Sequence, residues 1–155
     1  MDWIDEIIAG VEELYNSVDP YELCRLLKIE IVRTEPDNPI LLENESLYIR
    51  DFLGREVIFI RNDLHKSHES FYLLHELAHA LLHPDIKNSL NSDLVNKDKL
   101  EKQAYYFALK LSKVSIDEIE LYQITLEQIA SCLELPYKPL KQLVNLQTYQ
   151  ERIFS

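Results

Sequence analysis

Residues 71–83 read FYLLHELAHALLH, and this stretch narrows the possible folds more than any other. Phe71, Leu74, Ala78, Leu81 and Leu82 follow the i, i+3, i+4, i+7 spacing of a helix with one face in a core. Pro84 then stops the helix, because its ring cannot continue the hydrogen-bond ladder. On such a helix His75 and His79 lie one turn apart on one face, so both imidazoles can reach one metal ion. Glu76 is rotated by about 100° from His75, which sets its carboxylate beside that ion. The pattern His-Glu-x-x-His therefore suits holding Zn²⁺ and taking a proton from the water it activates. The bland reading is a partly buried polar seam, and a third ligand decides against it.

Glu101 is the candidate. It opens a second strongly periodic helix, predicted from about Lys97 to Leu111, with Leu100, Ala104, Phe107, Ala108 and Leu111 as the core stripe. Ala104 and Ala108 are small, which allows this helix to approach the first closely enough for a carboxylate to reach the ion. A His₂Glu set leaves one tetrahedral position for water, the mark of a catalytic site. The competing role for Glu101 is a solvated first-turn acid that complements the helix dipole. His83 sits two turns beyond His75, about 12 Å along the axis, and reads as a cap or as a group behind the ligands. Asp85 falls at the His-x-x-Gly-x-x-ligand position, but Leu82 stands where that sharp turn requires Gly. His65, His68, Tyr48, Tyr105 and Tyr106 all qualify to polarise a substrate carbonyl, and the spacing does not choose among them. The implied reaction is amide hydrolysis, with Glu76 as general base and zinc preferred over iron or manganese by ligand set.

Around these helices the chain reads as α+β. Trp3, Ile7, Ile8, Val11, Leu14 and Tyr15 make one apolar stripe on an N-terminal helix. Asp19-Pro20 restarts a short helix to about Leu27. Strands are predicted at 29–33, 46–50 and 56–61, with Gly54 turning the last two and the three forming a small antiparallel sheet. Ser67 or Ser70 is the expected N-cap of the metal helix. The polar stretch after Pro84 is expected to be a loop. Ser115-x-x-Glu118 and Thr125-x-x-Gln128 resemble capping boxes that open further helices. The division expected is a zincin-like core, 1–114, and a helical segment, 115–155, with a helix-turn-helix appearance.

Sixteen Lys and Arg against 27 Asp and Glu give a formal charge of −11, which repels phosphate backbones and argues against direct nucleic-acid binding. Cys24 and Cys132 fit no metal-ribbon spacing and read as thiols of a reducing compartment. The first residues are acidic where a signal peptide would be basic, and no apolar run reaches the ~20 residues of a membrane span. The expected setting is the cytoplasm, with no membrane partner.

Two segments resemble the ImmA/IrrE metallopeptidases of bacteria, phages and integrative elements. They are Phe71-x-x-x-His75-Glu76-Leu77-Ala78-His79-x-x-x-His83 and Leu100-Glu101-x-Gln103-Ala104-x-x-Phe107-Ala108-x-x-Leu111. The resemblance covers roughly residues 45–146 and implies His75, His79 and Glu101 as zinc ligands and Glu76 as general base. The likeness is nearest to the ImmA branch, whose members cut a helix-turn-helix repressor encoded beside them. It implies a zinc endopeptidase of narrow specificity, an anti-repressor of a phage or mobile element, acting on a cytoplasmic repressor. A non-proteolytic interaction or toxin-like module, or a housekeeping peptidase, are the alternatives. The chain departs from the family at Ala78, where Gly is frequent, and at Lys113-Val114, where a Pro is frequent. Neither position carries a ligand.

Overall fold

The computed structural model describes residues 2–90, 97–113, 127, 130–131 and 134–141. The chain begins with helices α1 (Asp2–Tyr15) and α2 (Pro20–Leu26) and strand β1 (Ile29–Thr34). Strands β2 (Ser46–Phe52) and β3 (Arg55–Arg61) follow, then helices α3 (Lys66–Leu82) and α4 (Lys97–Leu111). Asp19 caps α2 by accepting a hydrogen bond from the Tyr21 amide at 3.0 Å, with Pro20 inside the first turn.

The sheet is mixed, which corrects the antiparallel arrangement expected from the sequence. Its order is β1-β3-β2, with β2 antiparallel to β3 and β1 parallel to it. The reason lies in β3. Val57 and Phe59 face one apolar cluster while Ile58 and Ile60 face another, and all four are buried. A strand covered on both faces gains most from the central position, so β1 pairs with β3 and not with β2. The connection 35–45, which includes a 3-10 turn at Pro39–Leu41, carries the chain to the opposite edge.

β2 is therefore an edge strand, and the stretch after Pro84 covers it. The Arg50 amide donates to the Lys87 carbonyl (2.8 Å), and the Ser89 amide donates to the Tyr48 carbonyl (3.0 Å). Ile49 and Asn88 form an isolated antiparallel bridge. Residues 87–89 thus act as a short fourth strand, where the sequence reading had a loop. Such cover protects an edge from unwanted pairing.

α3 lies at the centre of the main core. Every residue from Phe71 to His79 is buried, so its ligand face is as enclosed as its apolar one. α4, β2, β3 and α2 pack around it. Its N-cap is His65, whose Nδ1 accepts from the Ser67 amide at 3.3 Å. The helix begins one residue before Ser67, which leaves Ser67 and Ser70 inside it and corrects the expected serine cap. At the other end Arg50 reaches back from β2 and donates to the carbonyls of Ala80 (3.3 Å), His83 (3.0 Å) and Ile86 (2.9 Å). A cation at this end of the helix, with the Ala80 carbonyl of the last turn among its acceptors, complements the helix dipole there. The capping boxes at Ser115 and Thr125 lie outside the described residues, but Leu135 reaches the main core.

Candidate metal centre

α3 and α4 meet through small side chains. Ala78 on α3 and Ala104 and Ala108 on α4 are fully buried, and with no bulk between the helices Glu101 reaches the imidazoles. Glu101 Oε2 lies 3.2 Å from His75 Nε2, and its Oε1 lies 3.0 Å from His79 Nε2. The two Nε2 atoms are 3.1 Å apart. Among the described residues, His75, His79 and Glu101 are the group able to offer three donor atoms to one ion, all within 4.8 Å of each other. Ligands about 2.0–2.1 Å from a tetrahedral zinc stand about 3.3 Å apart, so the observed separations fit such an ion.

Glu76 sits beside this trio and is 1% exposed. Its Oε1 accepts a hydrogen bond from Ser46 Oγ at 3.2 Å, while Oε2 and His75 Nδ1 have no partner among the described residues. A buried carboxylate oxygen with no donor is costly unless something else supplies one. Asp85 is exposed and does not join the cluster. His83 caps the C-terminus of α3 and also stands behind the ligands: its Nδ1 is 3.0 Å from His79 Nδ1, and its Nε2 is 2.9 Å from Gln103 Oε1.

A cavity of about 180 Å³ opens onto His75, Glu76 and Glu101. Ser46, Tyr72, Ser89, Tyr105, Lys97 and Lys138 help to line it. Of the three tyrosines left open by the spacing, Tyr105 alone borders the cavity, and its ring stacks on His75 with centroids 4.3 Å apart. Tyr48 turns its hydroxyl to Glu56, and Tyr106 donates to Asp5 at 2.9 Å. His65 and His68 line a different cavity. The sequence reading missed Tyr72, Ser46 and Gln103. Tyr72 precedes His75 by three residues and so shares its face, a signal that was available.

The electrostatics agree with a cluster built for a cation. Burial alone lowers the basicity of His75, but the Glu101 hydrogen bond and the charges of Glu76, Glu101 and Glu45 leave it above the ordinary value. Burial raises the Glu101 carboxyl, and hydrogen bonds from His75 and His79 outweigh that and hold it well below the usual range. Burial pushes the Tyr72 and Tyr105 phenols up, so both stay protonated and able to donate.

An α+β fold with two imidazoles on one buried helix, a carboxylate from the next and a second acid beside them has the donor set of a hydrolytic metal centre. Residues 24–154 match the family model Peptidase_M78, described as the IrrE N-terminal-like domain. The chain belongs to the ImmA/IrrE metallopeptidase family. It is 28% identical over 155 residues to Metallopeptidase ImmA of Bacillus subtilis (strain 168), covering 96% of this chain and 88% of that one. It is also 28% identical over 153 residues to Uncharacterized immunity region protein 2 of Bacillus phage phi105, covering 92% and 93% respectively. No solved structure matches significantly.

Proposed function

We propose that the protein is a zinc-dependent endopeptidase of narrow specificity, in which His75, His79 and Glu101 hold the metal and Glu76 is the general base. The convergence of the three donor atoms at 3.0–3.2 Å carries this reading. The zinc ion, when bound, supplies the Lewis acidity that lowers the pKa of a water and polarises the scissile carbonyl. Glu76 holds one oxygen on Ser46, and Oε2, which has no partner among the described residues, is the atom to accept the water's proton and later deliver it to the departing amine. Tyr105 and Tyr72 both line the cavity, and in this reading they donate to the developing negative charge on the carbonyl oxygen.

The substrate in this reading is a helix-turn-helix repressor of a phage or mobile element, met in the cytoplasm, which would make the protein an anti-repressor. The relative from a phage immunity region supports a regulatory substrate of that kind. No helix among the described residues is long and apolar enough to cross a membrane. The division into a core, 1–114, and a helical segment, 115–155, belongs to the same proposal. Burial of Ala130, Leu135 and Leu140, with Lys138 at the cavity, favours a segment that completes the wall of the site over one that reads DNA.

The test is co-expression of the chain with a helix-turn-helix repressor encoded beside its gene, the substrate this reading requires, followed by mass analysis of the repressor and metal analysis of the chain. We expect one defined cleavage with the wild type. Glu76→Gln should keep the zinc and lose about 10²–10⁴-fold in cleavage, whereas His79→Ala and Glu101→Ala should lose the zinc itself. An intact repressor with both wild type and Glu76→Gln, despite normal derepression in cells, would overturn proteolysis in favour of a binding module.

A further inference from the structure

Behind His79 runs a chain of side chains that ends on α4. His79 Nδ1 lies 3.0 Å from His83 Nδ1, and His83 Nε2 lies 2.9 Å from Gln103 Oε1. All three residues are buried, so no bulk water competes for these contacts. His83 can turn back to meet His79 because it leaves the helix as its C-cap, with φ −123° and ψ 69°. On α4, Glu101 and Gln103 flank Ala104, about 60° to one side of it and 100° to the other at 100° per residue. One side chain goes to the donor atoms of the site, and the other goes round behind it.

The direction of the protons in this chain is determined by chemistry. A metal takes the lone pair of His79 Nε2, so the neutral ring must carry its proton on Nδ1. That proton is donated to His83 Nδ1, which must then be an acceptor. His83 in turn carries its proton on Nε2 and donates it to Gln103, whose facing atom must be the carbonyl oxygen. The reverse order, with the Gln103 amino group donating to His83, drives a proton onto His79 Nε2 and blocks it as a ligand.

We propose that Gln103 and His83 are positioning residues that lock His79 in its metal-binding tautomer. Docking of α4 then both delivers Glu101 and prepares His79. This inference rests on the metal-site reading above and adds the two residues that tune it. His75 has no such support, since its Nδ1 has no partner among the described residues, which makes His79 the ligand whose orientation is set from behind.

The experiment measures Zn²⁺ affinity of the full chain by competition with a chromophoric chelator. The proteins compared are the wild type, Gln103→Met and Gln103→Glu. Methionine fills the space but accepts no strong hydrogen bond, and glutamate fills it as a stronger acceptor. Gln103→Met should bind zinc about 10–100-fold more weakly, and Gln103→Glu should match or exceed the wild type. In the zinc-loaded wild type, ¹⁵N–¹H spectra should show protected protons on His79 Nδ1 and His83 Nε2, and Gln103→Met should lose protection of the second. Equal affinity in wild type and Gln103→Met, or equal loss in both variants, would overturn the relay while leaving the site intact. If Gln103→Met fails to fold, the glutamate variant alone decides: a tenfold loss would overturn the proposal. A wild type that binds no zinc overturns the metal site and the relay together.

Discussion

Glu69 stands in the first turn of α3, six residues before His75, yet its carboxylate belongs to the fold. It accepts from Arg33 Nη2 at 2.7 Å and Nε at 3.1 Å, and from the Tyr21 hydroxyl at 2.7 Å. These contacts tie α3 to β1 and α2, and the negative charge suits a helix N-terminus. Burial raises its pKa, but the hydrogen bonds from Arg33 and Tyr21 outweigh that and leave it below the ordinary glutamate value. A carboxyl depressed in the folded state stabilises at neutral pH and loses that contribution as the pH falls through its folded pKa. Glu69→Gln should therefore cost about 1–3 kcal/mol at pH 7. The gap between variant and wild type should close in strong acid. Urea unfolding of both proteins at neutral and acid pH measures it; an unchanged gap in acid would mean that charge is not its source.

Between β2 and β3 the chain turns on two residues, Leu53 and Gly54, with φ of 53° and 83°. Two successive left-handed residues are the signature of a type I′ hairpin, which favours Asn-Gly. Gly54 meets the demand without strain, while Leu53 pays it with a side chain that is 85% exposed. Leu53→Asn is expected to stabilise by about 1 kcal/mol, which raises Tm by roughly 2–4 °C for a chain of this size. Gly54→Ala should lower it by a similar amount. Among the described residues nothing lies within 4 Å of a methyl at that position, so the cost is one of backbone conformation. Calorimetry of the two variants tests both signs at once.

Across the whole molecule, the candidate metal site is where α3 and α4 present charged groups to each other. The imidazoles and Glu76 there are buried and Glu101 is half-buried, and zinc would link the two helices. In the proposed reading, chelation should therefore lower the stability of the entire fold. At a free zinc concentration 100 times Kd the linkage is worth about 2.7 kcal/mol, or roughly 5–10 °C in Tm at this size. The shift should shrink as the pH falls, because protons compete for the same ligand atoms. Glu101→Ala should show little of it. Thermal unfolding with and without chelator gives the comparison, and equal shifts in wild type and Glu101→Ala would place the metal elsewhere.

Local physics was legible in the sequence. The period of α3 and α4, the Asp19-Pro20 start of α2 and the Gly54 turn each depend on neighbours a few residues away. The pairing of His75 with His79 is a matter of helix pitch, and the small Ala104 and Ala108 pointed to Glu101 as the group that α4 brings to them. Strand order was different, because the connection 35–45 is long enough for β1 to lie on either side of the hairpin. Burial of Val57, Ile58, Phe59 and Ile60 on two faces decides it. The choice among Tyr48, Tyr105 and Tyr106 turns on how each element is rotated against its neighbours, and a step of one residue on a helix swings a side chain by about 100°. For the same reason Gln103 read only as part of a motif. Its contact with His83 exists because α4 crosses α3 at one particular rotation, which packing of the whole core sets and no local pattern encodes.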